Sequence, residues 1–382
     1  MAQGEDEEGE EAEESEAGEA PVLPSGAELA AAYFRSWDNP TRHLPLLQDK
    51  ALSAAWSAAL ASAPPGTFEG KTVLEVGCGV GLLSVMAAKA GAARVIAVDG
   101  SAGAADAARR VARANGLQDR ITVVHGAIQD VDLPGVAPGG VDVILSNWMG
   151  PGLLGGGMLP GLAHAVETWL RPGGLVLPDT ASLWAVGLED REALQDAKKT
   201  WGSVAGVDMT AALAQVIQHP RLDAARRKAQ LLTAPQQLAQ WRTSELRTGA
   251  VVDPAIGAYA RCPLRLVAER EDRMFGLMLY WDAAWTFGGA LGPGDGKPAV
   301  RLSTGPTAPA THYKQLVINF PRSLLLAPGD VLAGELELRP GGTDPRDLEV
   351  ALRLAQQGGG AAAGSGAVAP IVGTFRVPYD LA

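Results

Sequence analysis

Two patterns of apolar and polar positions divide the chain. From about residue 27 to 178, short runs that are apolar almost throughout (KTVLEV, RVIAVD, RITVVHG, VDVILS) alternate with alanine-rich stretches of helical period such as GLLSVMAAKAG and AADAARRVARANG. Strands that are apolar on both faces and separated by helices predict a parallel sheet covered on both sides, an α/β fold. Ahead of it, residues 27–62 carry helical spacing with aromatic residues at Tyr33, Phe34, Trp37 and Trp56. From Pro178 the pattern changes. ASLWAVGLED, LRLVAER, MFGLMLYWDAAWTF, KQLVINF, GELELRP and LEVALRL read as strands divided by Gly/Pro loops, with one early helical insert, REALQDAKKTWGSVAGVDMTAALAQV. This half, 179–382, predicts a mostly antiparallel β domain with a helical arm at about 190–220. GPGDGKP and QQGGGAAAGSGAVAP read as flexible loops.

Composition changes this picture at one end only. The formal charge is -11, yet the first twenty residues hold ten acids and no base, so the remainder carries about -1. Residues 1–26 read as a disordered acidic tail, too poor in apolar surface to offset its ordering entropy. The body has no basic face for nucleic acid. With no apolar run of membrane-spanning length and no basic-then-apolar leader, the expectation is an intracellular protein, in cytoplasm or nucleus. Cys78 and Cys262, far apart and outside CxxC spacing, support neither a disulfide framework nor a zinc site.

Candidate chemistry begins at VLEVGCGVGLLS. Gly77, Gly79 and Gly81 follow a strand and precede a helix, where glycines let the backbone turn sharply and approach a ligand. Asp99 ends the next strand, in position to accept both ribose hydroxyls of an adenosine. A dinucleotide site would keep G-x-G-x-x-G; here the spacing is G-x-G-x-G, with Glu75 just before it. That opening resembles class I S-adenosylmethionine methyltransferases, whose sulfonium cofactor has no phosphate to cradle, and the resemblance implies S-adenosylmethionine rather than NAD.

Further motifs in order, YFRSW (33–37), His43, VLEVGCGVGLLS, AVDGS, SNWMG, LRPGGLVLPDTASLW, GVDM (206–209), STGPTAPATHYKQ and GELELRP…DPRDLEVALR, resemble the protein arginine methyltransferase family over nearly all of residues 28–355. The resemblance implies a Rossmann-like class I methyltransferase domain at 27–178, a β-barrel-like domain and a dimerisation arm in the insert containing GVDM. It further implies S-adenosyl-L-methionine as cofactor, a protein substrate of Arg/Gly-rich sequence, and a homodimer or a heterodimer with a paralogue. Phe34 and His43 then belong to an N-terminal lid over the cofactor, Ile128 and Gln129 lie beside adenine, and Met158 touches the cofactor. Trp148, Met149 and Tyr313 fall in the substrate pocket, and His312 pairs with Asp49.

The resemblance also exposes three departures. The family holds two glutamates in the loop that here reads SNWMGPGLLGGGML; their positions are Asn147 and Gly156, and Leu52 stands where the family has an arginine. Guanidinium stays protonated at physiological pH, so two carboxylates are needed to grip and orient it. Two readings follow. One is an arginine methyltransferase, or one with a shifted substrate, in which an acid from elsewhere takes over or a less charged nucleophile is used. The other is a catalytically impaired relative that binds cofactor or partner and pairs with an active paralogue, with His312, Asp49, Trp148 and Met149 simply holding loops together. Prolines 40 and 45 predict a break in the lid near His43, where Arg42 is a candidate contact for the cofactor carboxylate.

Overall fold

The computed structural model describes residues 24–223, 228–255, 257–289, 300–357 and 369–379. The acidic tail up to residue 23, the GPGDGKP loop and most of the QQGGGAAAGSGAVAP loop lie outside the described residues.

The first half opens with a helical lid. Helix α1 (Gly26–Ser36) starts at a capping box in which Ser25 and Glu28 satisfy each other's backbone donors. A single 3-10 turn at Pro40–His43 leads into α2 (Leu44–Gln48), then α3 (Lys50–Ser62). Both prolines sit in first turns, Pro40 of the 3-10 turn and Pro45 of α2, where their missing N–H costs nothing. The lid is therefore divided near His43, as the prolines require. Alternating elements follow: β1 (Thr72–Val76), α4 (Leu82–Lys89), β2 (Arg94–Asp99), α5 (Ala102–Ala114), β3 (Ile121–His125), β4 (Val141–Leu145), α6 (Met158–Thr168) and β5 (Leu170–Leu177).

These five strands form one parallel sheet in the order β3-β2-β1-β4-β5. The order reverses between β1 and β4, so the loops leaving their carboxyl ends diverge and open a crevice there. β5 escapes the apolar pattern because its first residues, including Pro172 and Gly173, are exposed and only its end is buried.

The second half contains β6 (Thr180–Leu188), helices α7 (Arg191–Gly202) and α8 (Thr210–Gln218), then β7 (Arg221–Asp223), β8 (Gln236–Arg242), β9 (Ala260–Val267), β10 (Asp272–Trp285), β11 (Val300–Ser303), β12 (Gln315–Leu326), β13 (Val331–Pro340), β14 (Leu348–Gln357) and β15 (Ile371–Val377). They make two antiparallel sheets, β7-β12-β10-β6-β8 with β11 on β10, and β15-β14-β13-β9. The barrel-like expectation is thus met by two open sheets, with no closed barrel among the described residues. The helical pair α7 and α8 occupies the expected arm, with Val204, Val207 and Met209 exposed between and beside the helices. No described helix is long and apolar enough to cross a membrane.

One core runs through both halves, from Val73, Leu74 and Ile144 of the parallel sheet to Leu316, Leu336 and Val350 of the antiparallel ones.

Candidate active site

A cavity of about 990 Å³ lies over the crevice, roofed by the lid and floored by the β1 and β4 loops. One of its walls is the glycine loop. Gly77, Gly79 and Gly81 have φ of +70, +52 and +86, left-handed values that L side chains rarely adopt. The Gly77 and Cys78 amides both donate to Val98 O, at 2.9 and 3.0 Å, which sews the loop to the end of β2. A Cβ on Gly79 would stand 3.1 Å from the His43 ring, and one on Gly77 would stand 2.6 Å from Met158 Cε. Glycine here is what lets lid and loop meet.

Asp99 closes this wall. Its Oδ2 accepts from the Gly79 amide and its Oδ1 from the Ser101 amide, both at 2.8 Å. Burial pushes its carboxyl upward, opposed by those two amides. Phe34 of the lid lies over Gly100, so closely that a Cβ there would be 2.2 Å from its ring. Ile128 and Gln129 flank Gly161 of α6. Every residue expected around the cofactor except Gly81, which caps α4, lines the one cavity.

The other wall is the loop after β4. Ser146 Oγ donates to Val76 O and anchors the loop to β1. Trp148 and Met149 are buried. Asn147 stands beside the Tyr313 hydroxyl, which burial drives well above its ordinary range. Asn147 Oδ1 and Trp148 Nε1 are buried without a hydrogen-bond partner. Gly156 has φ +95 and open space where a side chain would project. His312 donates from Nδ1 to Asp49 Oδ2 at 2.7 Å, and its backbone amide donates to the same oxygen. Asp49 Oδ1 accepts from the Leu52 amide and so caps α3. Burial lowers the His312 pKa against the pull of Asp49, leaving the ring neutral at pH 7 with Nε2 as its free acceptor. Leu52 is buried and lines the cavity; Arg42 is exposed and stacks over Trp37, its Cζ 5.2 Å from the ring centroid.

Sequence reasoning missed the residue that joins lid, loop and β domain. Arg346 is buried at the turn between β13 and β14. It holds Asp344 through Nε at 2.8 Å and Nη2 at 2.5 Å, and donates from Nη1 to Leu29 O of the lid at 2.6 Å. The guanidinium sits 5.0 Å from the Tyr33 ring and 4.8 Å from that of Tyr379. Its own carbonyl accepts from the Gly156 amide at 2.8 Å. Asp38 was missed as well: its Oδ1 accepts from Ser101 Oγ and the Gly103 amide, docking the lid on the N-terminus of α5. The only available signal for Arg346 was an Asp-Pro-Arg-Asp turn, and no periodicity connects position 346 to position 29.

Comparison with known proteins agrees with this architecture. Residues 179–359 match the arginine methyltransferase oligomerization subdomain, and residues 73–174 match a methyltransferase domain. Protein arginine N-methyltransferase 1.1 of Arabidopsis thaliana is 36% identical over 75% of this chain and 69% of its own length. Protein arginine N-methyltransferase 1 of Saccharomyces cerevisiae is 34% identical over 83% and 86%. Among solved structures, the Trypanosoma brucei PRMT1 enzyme-prozyme heterotetrameric complex with AdoHcy superposes with a TM-score of 0.75 at 26% identity, covering 90% of this chain and 99% of that one. The chain belongs to the protein arginine N-methyltransferase family.

Proposed function

We propose that this chain binds S-adenosylmethionine in the cavity and transfers its methyl group to a protein side chain, arginine by family membership, and that transfer to arginine is slow. The observation that carries the cofactor reading is the convergence of Asp99, the left-handed glycines, the Phe34 and His43 lid and the Ile128–Gln129 edge on one space. A side chain on Gly79 would strike the His43 ring and close the space between loop and lid, so the residues present fit the group. When bound, the cofactor supplies an electrophilic methyl on a sulfonium. Asp99, fixed by two amides, would accept from the ribose hydroxyls; Gln129 would hydrogen-bond the adenine edge; Phe34 and His43 would exclude water. His312, neutral and oriented by Asp49, holds a free acceptor at Nε2 to take a proton from the acceptor side chain.

What slows arginine is the other wall. Asn147 offers one neutral acceptor, Gly156 none, and the arginine that would balance two carboxylates is Leu52. Those three neutral residues favour a second reading, a cofactor-binding member that supports an active paralogue, assembled through the α7–α8 arm as homodimer or heterodimer. The substrate on the first reading is a protein segment, Arg/Gly-rich by family, met in cytoplasm or nucleus.

The test is calorimetric titration of the full chain with S-adenosylmethionine, then labelled-methyl transfer to an arginine-rich peptide in the same sample. Saturable binding is expected, with arginine transfer depressed by about a hundredfold or more relative to a family member carrying both glutamates. Absence of binding would sink the cofactor reading. Transfer as fast as that relative's would sink the account of the acceptor wall.

A further inference from the structure

We propose that Tyr379, beyond the last strand, is a positioning residue of the lid. Its ring holds α1 down over the cavity, and the segment that follows β15 thereby sets how long the cofactor stays bound. This rests on the reading of the cavity as an S-adenosylmethionine site and deepens it.

Helix α1 is a lid with little beneath it. Gly26, Leu29, Ala30, Tyr33, Phe34 and Trp37 recur at helical spacing and all line the cavity. This stripe faces the cavity rather than a core, and no residue of the helix is buried. Core packing, the usual anchor of an amphipathic helix, is missing here, so a few contacts decide whether the helix stays closed.

Asp38 docks the carboxyl end of the helix on the N-terminus of α5. Further back, the helix meets the β domain at Arg346 and Tyr379. The Tyr33 and Tyr379 rings meet edge-on, their centroids 5.5 Å apart and their planes at 71°. The Arg346 guanidinium lies 5.0 Å from the first ring and 4.8 Å from the second, and donates to Leu29 O. Tyr379 thus holds Tyr33 directly, through the ring pair, and indirectly, by fixing the cation that Tyr33 also meets.

The Tyr379 ring is aimed from behind by a buried carboxylate. β15 ends at Val377, paired with Leu348, and two residues later the Tyr379 amide donates to Asp347 Oδ1 at 3.0 Å. Asp347 is 2% exposed, and its Oδ2 accepts from Arg376 Nε at 2.6 Å. Both oxygens are therefore engaged by the segment that carries Tyr379, which fixes where the chain leaves the sheet. The Asp347 amide in turn donates to Asp344 O at 3.0 Å, so the group that places Tyr379 belongs to the turn that carries Arg346. The cofactor leaves when α1 lifts. Its release rate then follows the fraction of open lid, and each contact made only in the closed state lowers that fraction. The ring pair and the shared cation correspond to about tenfold in that fraction.

The experiment loads the full chain with labelled S-adenosylmethionine, chases with unlabelled cofactor and follows release by rapid filtration, with urea unfolding of each variant. Tyr379→Ala is expected to release cofactor about tenfold faster, with association not slowed. Tyr379→Phe keeps the ring and is expected to release at the native rate. Tyr379→Leu keeps apolar bulk without a ring and is expected to release as fast as Tyr379→Ala. In a Tyr33→Leu background, Tyr379→Ala is expected to add less than about threefold, because the ring it acts on is gone. Native release from Tyr379→Ala overturns the proposal, as does fast release from Tyr379→Phe or the same tenfold step with Tyr33 already replaced. Should Tyr379→Ala fail to fold, native release from Tyr379→Leu overturns it equally. A native chain that retains no labelled cofactor identifies the cofactor reading itself as the failure.

Discussion

The two walls of the cavity are made of different material. The cofactor wall is backbone: glycines with positive φ, the amides of Gly79 and Ser101 on Asp99, and a lid laid directly over Gly79 and Gly100. The acceptor wall is side chain: Asn147 with an orphaned oxygen, Gly156 with none, and a His312–Asp49 pair supporting the rim. A backbone-built wall changes only if the turn changes, and each positive φ resists that. A side-chain-built wall can lose its charge at three positions while its scaffold stands. The comparison teaches why family membership speaks strongly to the cofactor and weakly to the acceptor.

Arg346 is where the comparison can be broken, and its removal carries the largest expected effect. Arg346 belongs to both walls, its guanidinium through Leu29 O of the lid and its backbone carbonyl through the Gly156 amide. Arg346→Ala leaves Asp344, 6% exposed, without its partner, at a cost of about 3–5 kcal/mol. Arg346 holds that carboxyl below its usual range in the native chain. The expected outcome is a lower denaturant midpoint together with loss of cofactor affinity, measured by urea unfolding and calorimetry. Loss of stability with affinity intact would show that the lid is held by Asp38 and His43 alone, and that the walls are independent.

Next in size is restoration of the acceptor wall. Leu52→Arg with Asn147→Glu and Gly156→Glu is expected to raise arginine transfer by about a hundredfold. Space permits the third change, but the φ of +95 does not favour it; an L residue there costs on the order of 1–2 kcal/mol. The double variant without Gly156→Glu separates the two effects: it gains one carboxylate and its arginine without a side chain at the positive φ of residue 156. If neither variant raises arginine transfer, the distinction between the walls does not explain the acceptor.

This asymmetry also governs what could be read from the sequence. The parallel half was legible because strands buried on both faces leave apolar runs, and the glycine loop with Asp99 was legible because its partners lie on adjacent strands joined by one helix. β8 was not legible, since QQLAQWR alternates only weakly on a sheet edge, and the short β7 offers no period at all. The Arg346 latch joins residues 344 and 379 of its own half to 29, 33 and 156 of the other, and the last three contacts exist only once both halves are docked. Asn147 and Gly156 could be named because the family pattern makes their difference visible; the burial of Asn147 Oδ1 needed coordinates.

The smallest expected effect sharpens the comparison by asking whether the cofactor wall is itself uncharged beneath its glycines. Glu75 is a carboxyl in sequence but, raised from 4.5 to about 8 by burial, an uncharged acid at neutral pH. In the unfolded chain it ionises near its ordinary value, so between about 4.5 and about 8 the folded state binds the extra proton. Stability from this group is complete below 4.5, declines as pH rises through that window, and is lost above about 8. Asp99, also raised by burial, contributes with the same sign. Glu75→Gln keeps an acceptor for Ser84 Oγ and has no proton to lose. Its thermal midpoint, followed by calorimetry across the same window, is therefore expected to fall less steeply with pH than that of the native chain. Parallel slopes in the two proteins would mean that Glu75 is ionised in the fold, and that a negative charge lies beneath the glycine loop after all.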